Sequence, residues 1–271
     1  MRGIKIVLGV LITIFFISDC TAQHSQRPKS SANPGHFFAI DTVRGVSPYD
    51  KHYRFIFPQI KRKGSQATAT YMINRVLSRS ILQIESGQEK QSIFERVWGS
   101  RDASVPSVSD ISFKVLNNDS DVFCISITAK YCRNACGEET SYFTFESSTG
   151  KQIDLVSIFE EQGLETLMDS ARLQSIQRVA AYSDKLGSNV AKLTDEVKQD
   201  TQEAITEFGK CGKNMFPYLG FSINKRKIVL YSRSCLRDDL MYLDKMNHEY
   251  SFEWDNVKDY LSEYGKAVLK R

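Results

Sequence analysis

The sequence has little of what most legible catalytic sites are built from. Its 271 residues hold four histidines, His24, His36, His52 and His248, and none stands in a His-x-His or His-Glu-x-x-His spacing or beside a spaced cysteine set. There is no Gly-x-Ser-x-Gly elbow for a serine nucleophile and no glycine-rich phosphate loop. These gaps exclude the readily recognised zinc hydrolases, serine hydrolases and P-loop enzymes, and neither a metal nor a cofactor is expected. The formal net charge is only +4 and the basic residues are scattered, so the concentrated basic face of a nucleic-acid binder is missing. No fixed-period repeat occurs, and no long Pro/Gly linker divides the chain. After the N-terminus no apolar run approaches the roughly 20 residues a membrane-spanning helix needs.

What is present begins at the N-terminus. Arg2 and Lys5 precede the unbroken apolar run 6–17 (IVLGVLITIFFI), followed by the short, small segment 18–22 (SDCTA). This is the layout of a secretory signal peptide, with cleavage expected after Ala22. Residues 1–22 are therefore read as a signal peptide and 23–40 as a flexible leader. Export to the periplasm or the medium follows. Cys20 supports an alternative, a lipoprotein signal in which Cys20 is acylated and the polar stretch after it serves as a tether. Asp19 stands against it, because that position normally holds a small neutral residue.

Either processing route leaves five cysteines, Cys124, Cys132, Cys136, Cys211 and Cys235, in an oxidising compartment where disulfides persist. Several connectivities are open. The expected pairs are Cys132 with Cys136 and Cys211 with Cys235, leaving Cys124 free.

Periodicity along the mature chain predicts an α+β fold, with antiparallel sheets, packed helices and two closely associated subdomains at 41–110 and 111–271. Residues 52–60 alternate as a strand does, with Pro58 marking an edge or an end. Residues 66–85 carry apolar positions at helical spacing, and a shorter helical piece follows near Phe94. Strands are expected at 110–116, 122–131 and 141–147 as a meander, the last closing on a turn whose Gly150 suits a positive φ. Helices follow at 164–186 and 195–208, then a hairpin at 217–234 around Asn224-Lys225-Arg226, a strand at 250–254 and a closing helix from Asp255.

One stretch carries a family resemblance. Tyr142-Phe143-Thr144-Phe145, then Thr149-Gly150-Lys151, then Ile153-Asp154-Leu155 and Ile158-Phe159, resembles the strand–turn–helix signature of the RsiV-type extracytoplasmic domains of bacteria. Residues 52–60 look like the first strand of the companion domain found beside PdaC-type deacetylases. The resemblance covers roughly residues 50–265 and implies an RsiV-like α+β subdomain at 111–271. Family members carry a Gly-Gly-Ala-His stretch where this chain reads Asn134-Ala135-Cys136-Gly137, so a role for that histidine is not carried over. Neither sigma-factor control nor deacetylation is implied.

The function expected from these readings is an exported, non-catalytic binding module of the envelope. One member of the resembling family binds lysozyme, which makes a basic cell-wall hydrolase one partner; cell-wall glycan is another. An acidic surface would receive a basic enzyme, and Glu138, Glu139, Asp238 and Asp239 are its candidates. The alternatives are a glycan hydrolase or transferase, which would need paired carboxylates in a cleft, and a structural protein anchored through Cys20.

Overall fold

The computed structural model describes residues 37–61, 67–85, 87–98, 107–132, 136–211 and 216–269, without the side chains of residues 107, 132, 136 and 238. The expected signal peptide, most of the leader and Cys20 fall outside the described residues. Everything described belongs to one compact unit, Pro34–Arg271. Among the described residues no helix is long and apolar enough to cross a membrane.

The fold is α+β. Among the described residues eight strands form two sheets. The larger contains, in spatial order, β1 (Ala39–Val46), β2 (Arg54–Lys61), β3 (Ser107–Asn118), β4 (Val122–Cys132) and β5 (Cys136–Glu146). Neighbours are antiparallel except β2 and β3, which run parallel and meet at Arg54↔Asp110 and Phe55↔Ile111. The connection carrying helix α1 (Ala67–Leu77) returns the chain across the sheet, as a parallel pair requires. Pro58 sits opposite Thr42, beyond the two residues of β2 that meet β3, so its missing N–H costs no bond to β3. The expected boundary at 110/111 lies inside β3, and the sheet continues across it. The expected leader likewise ends inside β1, where Ala39 and Ile40 already pair with β2. Nothing in AIDTVRGV alternates strongly, because this edge strand buries little.

Two asparagines imitate backbone to fasten these parts. The Asn74 amide on α1 accepts from the Ile60 N–H at 2.8 Å and donates to the Ile60 carbonyl at 2.9 Å. Asn118, at the end of β3, makes the same pair of contacts with Phe38, both 2.9 Å. Gly150 adopts φ 73°, and a Cβ there would lie 2.3 Å from the Ala69 carbonyl oxygen, so only glycine allows the β5 turn to rest on α1.

The smaller sheet is the antiparallel ribbon β6 (Tyr218–Ile223), β7 (Lys227–Ser232) and β8 (Glu249–Glu253). Between the sheets the chain forms α2 (Leu155–Ile158), the long α3 (Glu161–Asn189) and α4 (Asp195–Phe208); α5 (Trp254–Val257) and α6 (Glu263–Leu269) close the chain. Helix α3 buries a single stripe, Leu167, Ala171, Ser175 and Val179. Its Arg178 donates to the Asn247 and Glu249 carbonyls, at 3.1 and 2.7 Å, and lies over the Tyr250 ring, covering the outer edge of β8. Cys211 and Cys235 form a disulfide that ties the segment after α4 to the segment after β7. Cys132 and Cys136 are Cα partners where β4 connects to β5, the last pair of the hairpin register; their side chains lie outside the described residues.

Strand β4 explains how the two sheets meet. Phe123, Ile125, Ile127 and Ala129 face α1 and the aromatic core around Phe55 and Phe94. The opposite face is also buried near its start, where Val122 and Cys124 join the core formed with β6–β8 and α2. Alternation in the sequence suggests a solvated second face here; instead the small sheet covers it.

Candidate functional site

The small sheet covers only part of that second face. Cross-strand register lines up the side chains of β3, β4 and β5 in rows. Under the small sheet lies Cys124–Thr144. Its Cys124 thiol accepts from the Ile223 N–H at 3.3 Å, and Thr144 donates to the Phe221 carbonyl at 2.8 Å. Next comes Lys114–Ser126–Tyr142, with Tyr142 stacked on Tyr231 of β7. Beyond it is Ser112–Thr128–Thr140, and then the open row Asp110–Lys130–Glu138.

The middle rows, Tyr231 and Glu249 line a groove of ≈ 240 Å³. Its wall is placed by Gly220: a Cβ there would come within 2.6 Å of the Tyr142 Cβ, so the small sheet can approach this closely only with glycine. Thr128 and Thr140 share a hydrogen bond of 2.9 Å. Tyr231 and the Ser222 hydroxyl share another, also 2.9 Å. Among the described residues the side chains of Ser112, Lys114, Ser126 and Glu249 make no hydrogen bond or ion pair within the protein, so their polar capacity is turned to the groove. Burial, reinforced by Tyr231 and Glu249, pushes the Tyr142 phenol up to about 12; burial also raises Tyr231. Both phenols therefore stay protonated at neutral pH.

The four acidic residues named from sequence are not brought together. Glu138 and Glu139 belong to β5, not to a loop, and consecutive strand residues point to opposite faces. Glu138 joins the groove face and pairs with Lys130 at 3.6 Å. Glu139 lies on the other face, beside Tyr131, whose phenol is pushed up by burial first and by Glu139 second. Asp239 belongs to a 3-10 turn, 238–243, where it accepts from Arg237 at 2.9 Å; Arg237 also reaches Glu203 and Glu207 of α4. The Asp238 side chain lies outside the described residues. No hydrogen bond or ion pair joins the Glu138–Glu139 strand to Asp239 among the described residues.

A second polar cluster was not anticipated. His248 Nε2 is 3.0 Å from Asp244 Oδ2, and His248 Nδ1 is 3.3 Å from Ser232 Oγ. Asp244 also accepts from Ser234 and from the Met246 N–H. Burial would raise the Asp244 carboxyl, but the bonds from His248, Ser234 and Met246 outweigh it and hold it below its usual value. The residue types are those of a catalytic triad. Ser232 is buried, however, and lies on the face of β7 opposite Tyr231, away from the groove. The cluster fastens the loop 233–248 to the ribbon. The Asp-x-x-x-His spacing was its sequence signal. The groove had none, because alternating Ser and Thr read as an ordinary solvated strand face. Among the described residues no group of three or more His, Cys, Asp or Glu is arranged to hold a metal ion.

No protein-family model matches the chain, and no curated protein matches it in sequence. Solved structures similar in fold include two members of one family. A DUF3298 family member from Bacteroides fragilis is 11% identical, with TM-score 0.54, covering 86% of this chain and 97% of its own. A DUF3298 family protein from Pseudomonas aeruginosa PAO1 is 8% identical, with TM-score 0.49, covering 84% and 95%. At 11% identity the Bacteroides fragilis structure shows an α+β architecture held in common and nothing of what is bound.

Proposed function

We propose that this chain is an exported, non-catalytic binding module of the bacterial envelope, of the RsiV-type kind its Tyr142–Phe159 segment resembles, and that the half-covered face of β3–β5 is its ligand seat. The observation that carries this reading is the groove itself: unpartnered polar side chains on a rigid sheet floor, walled by two stacked tyrosines. Its titratable groups suit binding better than proton transfer. The tyrosines are raised far from neutral pH, and Lys114 and Glu249 are not joined to a neighbouring acid or base.

Between the two partners considered, the geometry favours cell-wall material over a basic enzyme such as lysozyme. An acidic docking surface needs its carboxylates on one side and free. Here Glu138 and Glu139 are divided between faces, and Glu138 and Asp239 already hold cations. Co-sedimentation with purified cell-wall sacculi tests the reading. The wild-type protein is retained. Thr128→Trp, which fills the groove, and Lys114→Glu, which changes only its exposed rim, both reduce retention. Equal retention of all three, or none by the wild type, overturns it.

A further inference from the structure

We infer that the groove reads a neutral, hydroxyl-bearing glycan chain through the ladder Ser112–Thr128–Thr140, with Tyr142 as its side wall; this rests on the groove being the ligand seat. The chemistry of the floor carries the argument. A hydroxyl donates once and accepts twice. The Thr128–Thr140 bond uses one donor and one acceptor site, so that pair still offers one O–H and about three lone pairs. Ser112 and Ser126 add their own. A surface that both donates and accepts at short intervals matches a ligand whose own groups do the same, and sugar hydroxyls are of that type.

Other ligand classes fit less well. The groove has one cation and one anion, Lys114 and Glu249, and the open row beyond it has Asp110, Lys130 and Glu138. A phosphate-rich polyanion calls for several unopposed cations. An apolar peptide calls for apolar side-chain pockets; Phe113 and Leu116 touch the groove, but four hydroxyls, Ser112, Ser126, Thr128 and Thr140, dominate its floor rows. Size points to part of a polymer. Three strands span about 10 Å, and ≈ 240 Å³ is below the roughly 300 Å³ at which enclosed small-molecule sites begin. The exposed Lys130–Glu138 end leaves room for a chain to continue.

The test titrates the purified protein with an N-acetylglucosamine tetramer and, separately, with the peptide stem of the cell wall, following backbone amide shifts and the heat of binding. The wild type binds the tetramer saturably, with shifts at Ser112, Thr128, Thr140 and Tyr142. Thr128→Val with Thr140→Val, which removes the hydroxyls and keeps the β-branched shape, weakens it roughly tenfold or more. Thermal melts establish that the double variant is folded, and Ser112→Ala, with a smaller loss, provides an independent check at a half-buried position of the same row. Tetramer binding unchanged in the double variant overturns the inference, as does saturable binding of the peptide stem in its place. No tetramer binding at millimolar concentration, while Thr128→Trp still abolishes retention on sacculi, overturns the glycan assignment and leaves the groove as a seat for something else. Retention indifferent to Thr128→Trp removes the groove reading itself.

Discussion

The rings of Tyr142 and Tyr231 lie face to face, with 3.8 Å between centroids and 10° between planes. One belongs to the large sheet and the other to the small one, so this stack joins the sheets where the groove begins. Tyr231→Ala removes the stack and leaves the buried Ser222 hydroxyl without its partner. The expected cost is about 3 kcal/mol or more in urea unfolding, by analogy with other buried aromatic truncations. Tyr231→Phe keeps the ring and should lose only about 1 kcal/mol. Equal losses in the two variants would show that the ring contact contributes nothing.

Asn118 holds both backbone groups of Phe38. Asn118→Ala leaves a buried donor and a buried acceptor unpaired, at about 1–3 kcal/mol each before relaxation. Amide exchange at Phe38 should accelerate more than at Ile125 in the middle of β4. Uniform acceleration would place the loss elsewhere.

The Asp244 carboxyl is held below its ordinary value of 3.8. A depressed carboxylate stabilises the fold above its unfolded-state pKa and loses that contribution as pH falls through the folded value. Acid unfolding of the wild type should therefore steepen below about pH 4. Asp244→Asn should be less stable at pH 7 and flatter in that acid range. An identical slope in both proteins would remove Asp244 from the acid response.

Cys124 is fully buried, and desolvation pushes its thiol up to about 12. A thiol reacts as its thiolate. Iodoacetamide at pH 8 should leave Cys124 unmodified in the native protein and modify it after unfolding, as read by peptide mass spectrometry. Native labelling at a rate comparable to the unfolded chain would contradict the packing of β6 on β4.

The Cys211–Cys235 bridge spans a sequence separation of 24. Loop-closure entropy assigns such a bridge about 3 kcal/mol. Paired Cys211→Ser and Cys235→Ser substitutions should lower stability by about that amount and loosen the loop 233–248 first, with fastest amide exchange at Leu236 and Leu240. Those residues pack on Phe208 and Val179 in a small separate core.

Much of the element content was legible because it rests on local chemistry. Apolar spacing located α3 and α4 within a few residues and the start of α1, whose expected span 66–85 leaves α-helical geometry after Leu77 and passes into a π turn at Ser78–Leu82. Thr-Gly-Lys marked the turn at Gly150, and Asn224-Lys225-Arg226 marked the hairpin between β6 and β7. The edge strand β1 escaped, since a strand that buries little shows no alternation. The parallel pairing of β2 and β3 escaped as well, because only two residue pairs make it and neither strand records which neighbour it will have. Glu138 and Glu139 were misread for a related reason: adjacency in sequence looks like adjacency in space, and a strand sends the two side chains to opposite faces.

The sequence by itself determined that this chain forms helices and mainly antiparallel strands, with hydrophobic periods long enough to build a core. It also shows an apolar N-terminal run at 6–17. Those are properties of neighbouring residues, and short-range sterics and burial set them. Which part of the β3–β5 face the small sheet covers, and which hydroxyls it leaves open beside Tyr142, was decided only when β6 settled against β5 through Gly220. That contact joins residues 78 positions apart, and no local pattern can specify where two distant surfaces stop overlapping.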